Sequence, residues 1–318
     1  MVSSIIKRSL ENDMKYNNEI LLSARKYLKQ QQSRNKELFH KEFVSYIYSN
    51  NKSGMWSAEN KFEFWQLSQS ATLEDAIHQA QEGGGIVFGG IGLKSKKFFG
   101  IVIDELLNYL KNKQNFDLYN ESKFFCEVPF ASLKASILLN NRLISLEFLY
   151  KLIIALRIQE HINLDQAKVV EIGAGLGGLA RCIKLLNKTT HYAIIDLPET
   201  LYFSYIFLRT SFPQAKFLYV ENQQQSKEID LDKYDFIFIP ASLVSTLPKG
   251  MKVDLVCNTL SLGEMRQKTV LEYMQMIQIQ FDVKYFYSLN RFLQTDKDID
   301  IHNSEDYQAS CSLVLDQY

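Results

Sequence analysis

Residues 169–180 read "VVEIGAGLGGLA". A β-branched run enters a stretch with four glycines in the six residues 173–178, and an apolar helix-like pattern follows. Strand, tight turn and helix in that order predict a parallel α/β unit whose backbone comes close to a ligand. Two templates fit at once. Gly173, Gly175 and Gly178 match G-x-G-x-x-G, the dinucleotide fingerprint, while Glu171, Gly173, Gly175 and Gly177 match E-x-G-x-G-x-G. Both put glycine where a turn brings backbone N–H groups and a helix amino terminus against the ligand.

The templates differ in charge. A pyrophosphate is drawn to the positive end of a helix dipole, and a carboxylate at the strand end repels it. S-adenosyl-L-methionine has an ammonium and a sulfonium but no phosphate, so Glu171 favours it. Asp196 closes the next β-rich run, "HYAIIDL" (191–197), where a carboxylate accepts hydrogen bonds from both ribose hydroxyls. NAD and S-adenosylmethionine share that ribose, so Asp196 supports the site without choosing between them. The chain after the glycine turn suffices for one sheet and is too short for a dehydrogenase's separate catalytic domain. Nothing in the first half reads as a hydride-transfer site.

The bulk composition narrows the class. The 318 residues are 46% hydrophobic and 23% charged, the balance of a soluble globular protein. Thirty-six basic residues offset thirty-six acidic ones, so no bulk field favours nucleic acid or an anionic membrane. Cys126, Cys182, Cys257 and Cys311 are far apart and form no C-x-x-C, which argues against zinc or a disulfide framework. The amino terminus lacks the apolar core of a secretory signal. The most apolar run, "FLYKLIIALRI" (148–158), carries Lys151 and Arg157 and reads as a buried helix, not a membrane span. The expectation is a soluble, cytoplasmic protein.

The chain changes period near its middle. Residues 1–120 read as mainly helical: 17–49 show amphipathic spacing, and "TLEDAIHQA" (72–80) and "DELLNYLKNK" (104–113) follow. Between these two helices "GGGIVFGGIGLKSKKFFG" (83–100) holds half of the 14 glycines; Leu93 before Lys94 excludes a phosphate loop, leaving a hinge or moving lid. Residues 121–318 alternate short apolar runs with helix-sized connections: 167–173, 191–197, 234–240, 253–259, 284–290 and 310–316, with 215–220 as an additional strand of open position. This predicts a doubly wound, mostly parallel seven-stranded α/β sheet, the last strand free to return antiparallel.

Four stretches carry a family resemblance: "VVEIGAGLGGLARCI" (169–183), "YAIIDLPETLYFSYIFL" (192–208), "DLVCNTLSLGEM" (254–265) and "YFYSLNR" (285–291). Together they resemble the sugar O-methyltransferases, Rossmann-like class I enzymes that use S-adenosylmethionine in polysaccharide or glycoconjugate biosynthesis. The glycine motif is generic to class I methyltransferases. The pairing of Asp-Leu-Pro-Glu with Asn-Thr-x-Ser-x-x-Glu-Met is more specific, and the resemblance covers about residues 120–318. It implies methyl transfer to a hydroxyl of a sugar, glycan or sugar-bearing small molecule.

Roles follow from position. Gly173, Gly175 and Gly177 are expected to let the methionine part of the donor lie along the backbone, with Glu171 near its amino group. Asp196 is expected at the ribose, or alternatively as a helix N-cap before Pro198, with Leu197 bordering the adenine. Ser242 follows the next strand and would serve the adenine amine or merely end the strand. Asn258 and Thr259 end the "VDLVCNT" strand at the carboxyl edge, where open α/β sheets place ligands.

A sugar hydroxyl needs its proton removed as it attacks. Glu264 is the first candidate base, although Ser261 and Glu264 also have capping-box spacing. His302 is the second, in the polar segment 296–306. There Asp296, Asp298, Asp300 and His302 alternate, yet Ile301 and Tyr307 break an EF-hand, and a solvated acidic loop without metal is the expectation. Asn290 and Arg291 suit sugar hydroxyls or an acidic neighbour. The amino-terminal helices are expected to cover the acceptor side or to form a homo-oligomer contact.

Overall fold

A computed structural model describes residues 96–127, 136–265 and 267–290, together with Leu22 and Lys26. Helix α1 (Lys96–Lys113) ends in Lys111 and Lys113, cations that suit a helix carboxyl terminus. A hairpin of β1 (Ser136–Leu139) and β2 (Arg142–Ser145) turns through Asn140 and Asn141, both at positive φ, as a two-residue turn between right-twisted strands requires. Ser145 then accepts from the Phe148 N–H and starts α2 (Leu146–His161). Helix α2 is apolar on most of its circumference and buried, as residues 148–158 predict.

The α/β unit continues through β3 (Lys168–Ile172), α3 (Gly178–Leu186), β4 (His191–Asp196), α4 (Pro198–Ser211), β5 (Phe217–Tyr219), α5 (Gln223–Lys227), β6 (Phe236–Pro240), β7 (Met251–Thr259), α6 (Gln267–Gln280) and β8 (Phe281–Leu289). The strands form one sheet in the order β5-β6-β4-β3-β7-β8, and every neighbouring pair is parallel. Its central strands are apolar on both faces: Val169, Tyr192, Phe236 and Leu255 face one core, while Val170, Ala193, Ile237 and Val256 face the other. Burial on both sides explains why these strands read as continuous apolar runs without alternation. The chain leaves β3 towards β4 on one side and returns as β7 on the other. This reversal opens a crevice at the carboxyl ends of β3 and β7.

The expected α/β doubly wound sheet is present, with six strands among the described residues. Residues 215–220 supply the edge strand β5; the expected strand 310–316 lies outside the described residues. Residues 96–100 of the expected lid are instead the first turns of α1, and 83–95 lie outside the description, as do 17–49 (apart from Leu22 and Lys26) and 72–80. Ile103 and Leu110 of α1 are fully buried in the core that also holds α2 and Val169. The described part of the first 120 residues therefore packs directly onto the second half. No helix of the described residues is long and apolar enough to cross a membrane.

Candidate functional site

The three glycines of the turn are glycine for three different reasons. All have positive φ: +69° at Gly173, +58° at Gly175 and +84° at Gly177, a region L side chains rarely adopt. A β-carbon on Gly173 would lie 2.0 Å from Ser261 Oγ, so this glycine lets the segment after β7 close against the turn. A β-carbon on Gly177 would lie 2.9 Å from Leu208 Cδ1, so this one admits α4. At Gly175 a β-carbon would meet nothing within 4 Å. Only Gly175 of the three opens onto free space.

The turn spends its amide donors on the protein. Gly173 N–H donates to the Ile195 carbonyl at 2.8 Å and Gly177 N–H to that of Ala174 at 3.0 Å. Gly175 N–H donates to Asp196 Oδ2 at 3.0 Å, and Leu197 N–H to Asp196 Oδ1 at 2.7 Å. Asp196 is only 8% exposed. Burial pushes its carboxyl up to about 7, and nearby Glu171 adds to the rise; the Leu197 and Gly175 amides oppose it. Helix α4 has Leu197 as its N-cap and Pro198 at its start, so Asp196 lies before the cap and is not the cap itself. Across the ladder Asp196 pairs with Pro240, and half-buried Ser242 follows in the 3₁₀ turn Ala241–Thr246. Asp196, Leu197 and Ser242 therefore share one edge of the crevice.

The end of β7 is wired to the glycine turn. Asn258 is fully buried; its Nδ2 donates to the Ile172 carbonyl at 2.7 Å and to Ser261 Oγ, and its Oδ1 accepts from Leu262 N–H at 3.2 Å. Its amide holds two loops together. Leu260 has φ +73°, an uncommon conformation for a branched side chain and a local strain at this edge. Ser261 makes no capping hydrogen bond to the 3₁₀ turn Leu262–Glu264, so the capping-box expectation is not met; its hydroxyl donates to the Ile172 carbonyl at 3.2 Å. Asn290 Oδ1 accepts from Gly263 N–H at 3.0 Å, fastening β8 to the same turn. The backbone places Glu264 at this carboxyl edge; its side chain, Arg291, and the 296–306 segment with His302 lie outside the described residues. Among the described residues no group of three or more His, Cys, Asp or Glu is placed to hold a metal ion.

Glu171 sits one layer deeper than the turn, 0% exposed on the face towards α2. Tyr192 Oη donates to its Oε2 at 2.8 Å, and its Oε1 has no hydrogen-bond partner among the described residues. Burial pushes the carboxyl up; the Lys151 ammonium opposes that rise. Lys151 itself donates to Thr259 Oγ1 at 3.0 Å, linking α2 to the end of β7. Sequence reasoning gave Lys151 and Tyr192 no role. The available signal was a cation, Lys151, at a position that the apolar period of the helix buries. Beside the turn a small cleft of about 20 Å³, partly open to solvent, is lined by Leu176, Gly178, Glu147, Lys151 and Arg181, among others.

No family model matches the chain, and no curated protein matches it. Among solved structures it is similar to a protein assigned as an O-methyltransferase from Nostoc punctiforme PCC 73102, at 16% identity and a TM-score of 0.30. The match covers 52% of this chain and 42% of that one, so it spans less than half the length of the neighbour. A likeness this distant carries no weight for activity.

Proposed function

We propose that the chain binds S-adenosylmethionine at the 173–178 turn and transfers its methyl group to a hydroxyl of a sugar or sugar-containing acceptor. The observation that carries this reading is the hydrogen bond from Gly175 N–H to Asp196 Oδ2. A dinucleotide turn brings its second glycine's backbone to a pyrophosphate. Here the N–H groups of Gly173, Gly175 and Gly177 all have protein acceptors, and the buried Glu171 adds a carboxyl beneath them. That is a poor seat for an anion.

The same residues suit a ribonucleoside without phosphate. Each Asp196 oxygen takes one amide hydrogen bond and keeps acceptor capacity for ribose hydroxyls. Open space lies over Gly175. When bound, the sulfonium supplies a methyl carbon already activated for in-line displacement, so what the protein contributes is mainly positioning. The sugar class of the acceptor rests on the resemblance at 258–265.

Calorimetry tests the donor. S-adenosylmethionine and S-adenosylhomocysteine should bind, and NAD should not. Binding of NAD with no response to either methyl-donor ligand would overturn the reading. Turnover of labelled donor against a panel of nucleotide sugars and glycans then identifies the acceptor.

A further inference from the structure

We infer that Glu147, with Glu127 beside it, receives the proton of the acceptor hydroxyl, an assignment that rests on the methyl-donor reading above. The cleft next to the glycine turn is walled by Glu127, by Glu147 and Lys151 one turn apart on α2, by Leu176 and Gly178, and by Arg181 of α3. The Glu147 carboxyl stands against the turn: its Oε1 lies 3.9 Å from where a β-carbon on Gly178 would be. Glu127 accepts a hydrogen bond from the Ser145 hydroxyl. The Glu147 carboxyl takes part in none among the described residues.

A second observation on the same cleft points to a polar guest. Arg181 is 6% exposed and gives Nη2 to the carbonyls of Phe124 and Cys126, at 3.3 and 2.7 Å. Its buried Nε has no acceptor among the described residues. A buried N–H without an acceptor is costly, so such groups mark places where a partner belongs. A sugar hydroxyl entering the cleft donates to the Glu147 carboxyl, and the Arg181 guanidinium lines the same cleft.

The step balances without a further reactant. As the hydroxyl oxygen bonds the methyl carbon, the carbon–sulfur pair leaves with sulfur, and the hydroxyl proton passes to the Glu147 carboxylate. Burial, with the like charge of Glu127, raises Glu147 to about 7 against the pull of Lys151. A base titrating near the working pH is both ionised enough and basic enough. The other groups facing it are Arg181, a fixed cation, and Cys182, whose thiol burial pushes up to about 12.

Proton counting tests the placement without an acceptor. Calorimetry in two buffers of different ionisation enthalpy measures proton release on binding S-adenosylmethionine or S-adenosylhomocysteine at pH 7. The ligands share amino-acid head, ribose and adenine, and differ only in the methyl group and the positive charge at sulfur. A sulfonium beside Glu147 lowers that carboxyl's pKa and expels its proton. S-adenosylmethionine should therefore release up to about half a proton more, since a group titrating at about 7 is half protonated there. Asp196 titrates in the same range but faces the shared ribose, so it contributes equally to both ligands. The excess should vanish at pH 9 and in Glu147→Gln. Glu127→Gln gives an independent check: removing the like charge lowers Glu147, and the excess at pH 7 shrinks. Equal release by both ligands, or an excess unchanged in both variants, overturns the assignment and leaves the donor site standing. Failure of either ligand to bind removes the donor reading and this assignment together.

Discussion

Gly175 N–H and Asp196 Oδ2, 3.0 Å apart, join the glycine turn to the end of β4. The bond makes one unit of the two features proposed to recognise a ribonucleoside, and it takes from the turn an amide that a phosphate would need. Asp196→Ala should therefore weaken S-adenosylhomocysteine binding by about 1.5–3 kcal/mol, the worth of hydrogen bonds to a charged acceptor. Calorimetry on the folded variant measures it. Unchanged affinity would place the ribose elsewhere.

Two glycine substitutions should part company. In Gly175→Ala the new methyl has room, so stability should fall by only about 1–2 kcal/mol for the left-handed backbone, while ligand affinity is lost. In Gly173→Ala the methyl meets the Ser261 side chain at 2.0 Å, and the fold itself should suffer. Melting temperature with S-adenosylhomocysteine titration on each variant decides. A Gly175→Ala protein that binds normally would mean that the ligand does not cross the turn there.

The folded protein should lose stability as pH rises from about 4.5 to about 7. Burial pushes Glu147 and Asp196 both up to about 7 when folded, against ordinary values of 4.5 and 3.8. Between those limits the folded state binds more protons than the unfolded one, so each carboxyl costs stability as it is forced to ionise. Glu147→Gln has no such group to ionise, and its melting temperature should drop less between pH 5 and pH 8. Parallel melting curves for the two proteins would show that Glu147 titrates normally.

With an acceptor in hand, single-turnover methyl transfer ranks the three candidate bases. Glu147→Gln should slow the step by about 10²–10⁴-fold, the usual loss for a general base. Glu264→Gln and His302→Ala should stay within a few-fold of the parent protein. Collapse in one of these two, with a normal Glu147→Gln rate, would move the base to that residue.

Much of the fold was legible because its signals are local. Apolar runs of strand length, glycines at fixed spacing, and an acid at the end of the following strand are all encoded within about 30 consecutive residues of a βαβ unit. The apolar helix around Lys151 was legible for the same reason. The capping-box spacing of Ser261 and Glu264 misled, because the Ser261 hydroxyl is claimed by a carbonyl 89 residues away in sequence.

The sequence by itself determined that a strand–glycine-turn–helix unit with Glu171 and Asp196 would sit in a parallel sheet. Hydrogen-bond geometry and hydrophobic period act between near neighbours, and those need no further information. Only the tertiary structure decided what each residue faces. It set Ser261 against Gly173, aimed Lys151 at Thr259 108 residues further on, and brought Glu127, Glu147 and Arg181 to one cleft. Burial and close charges set the chemistry of such groups, and both arise when distant segments pack together.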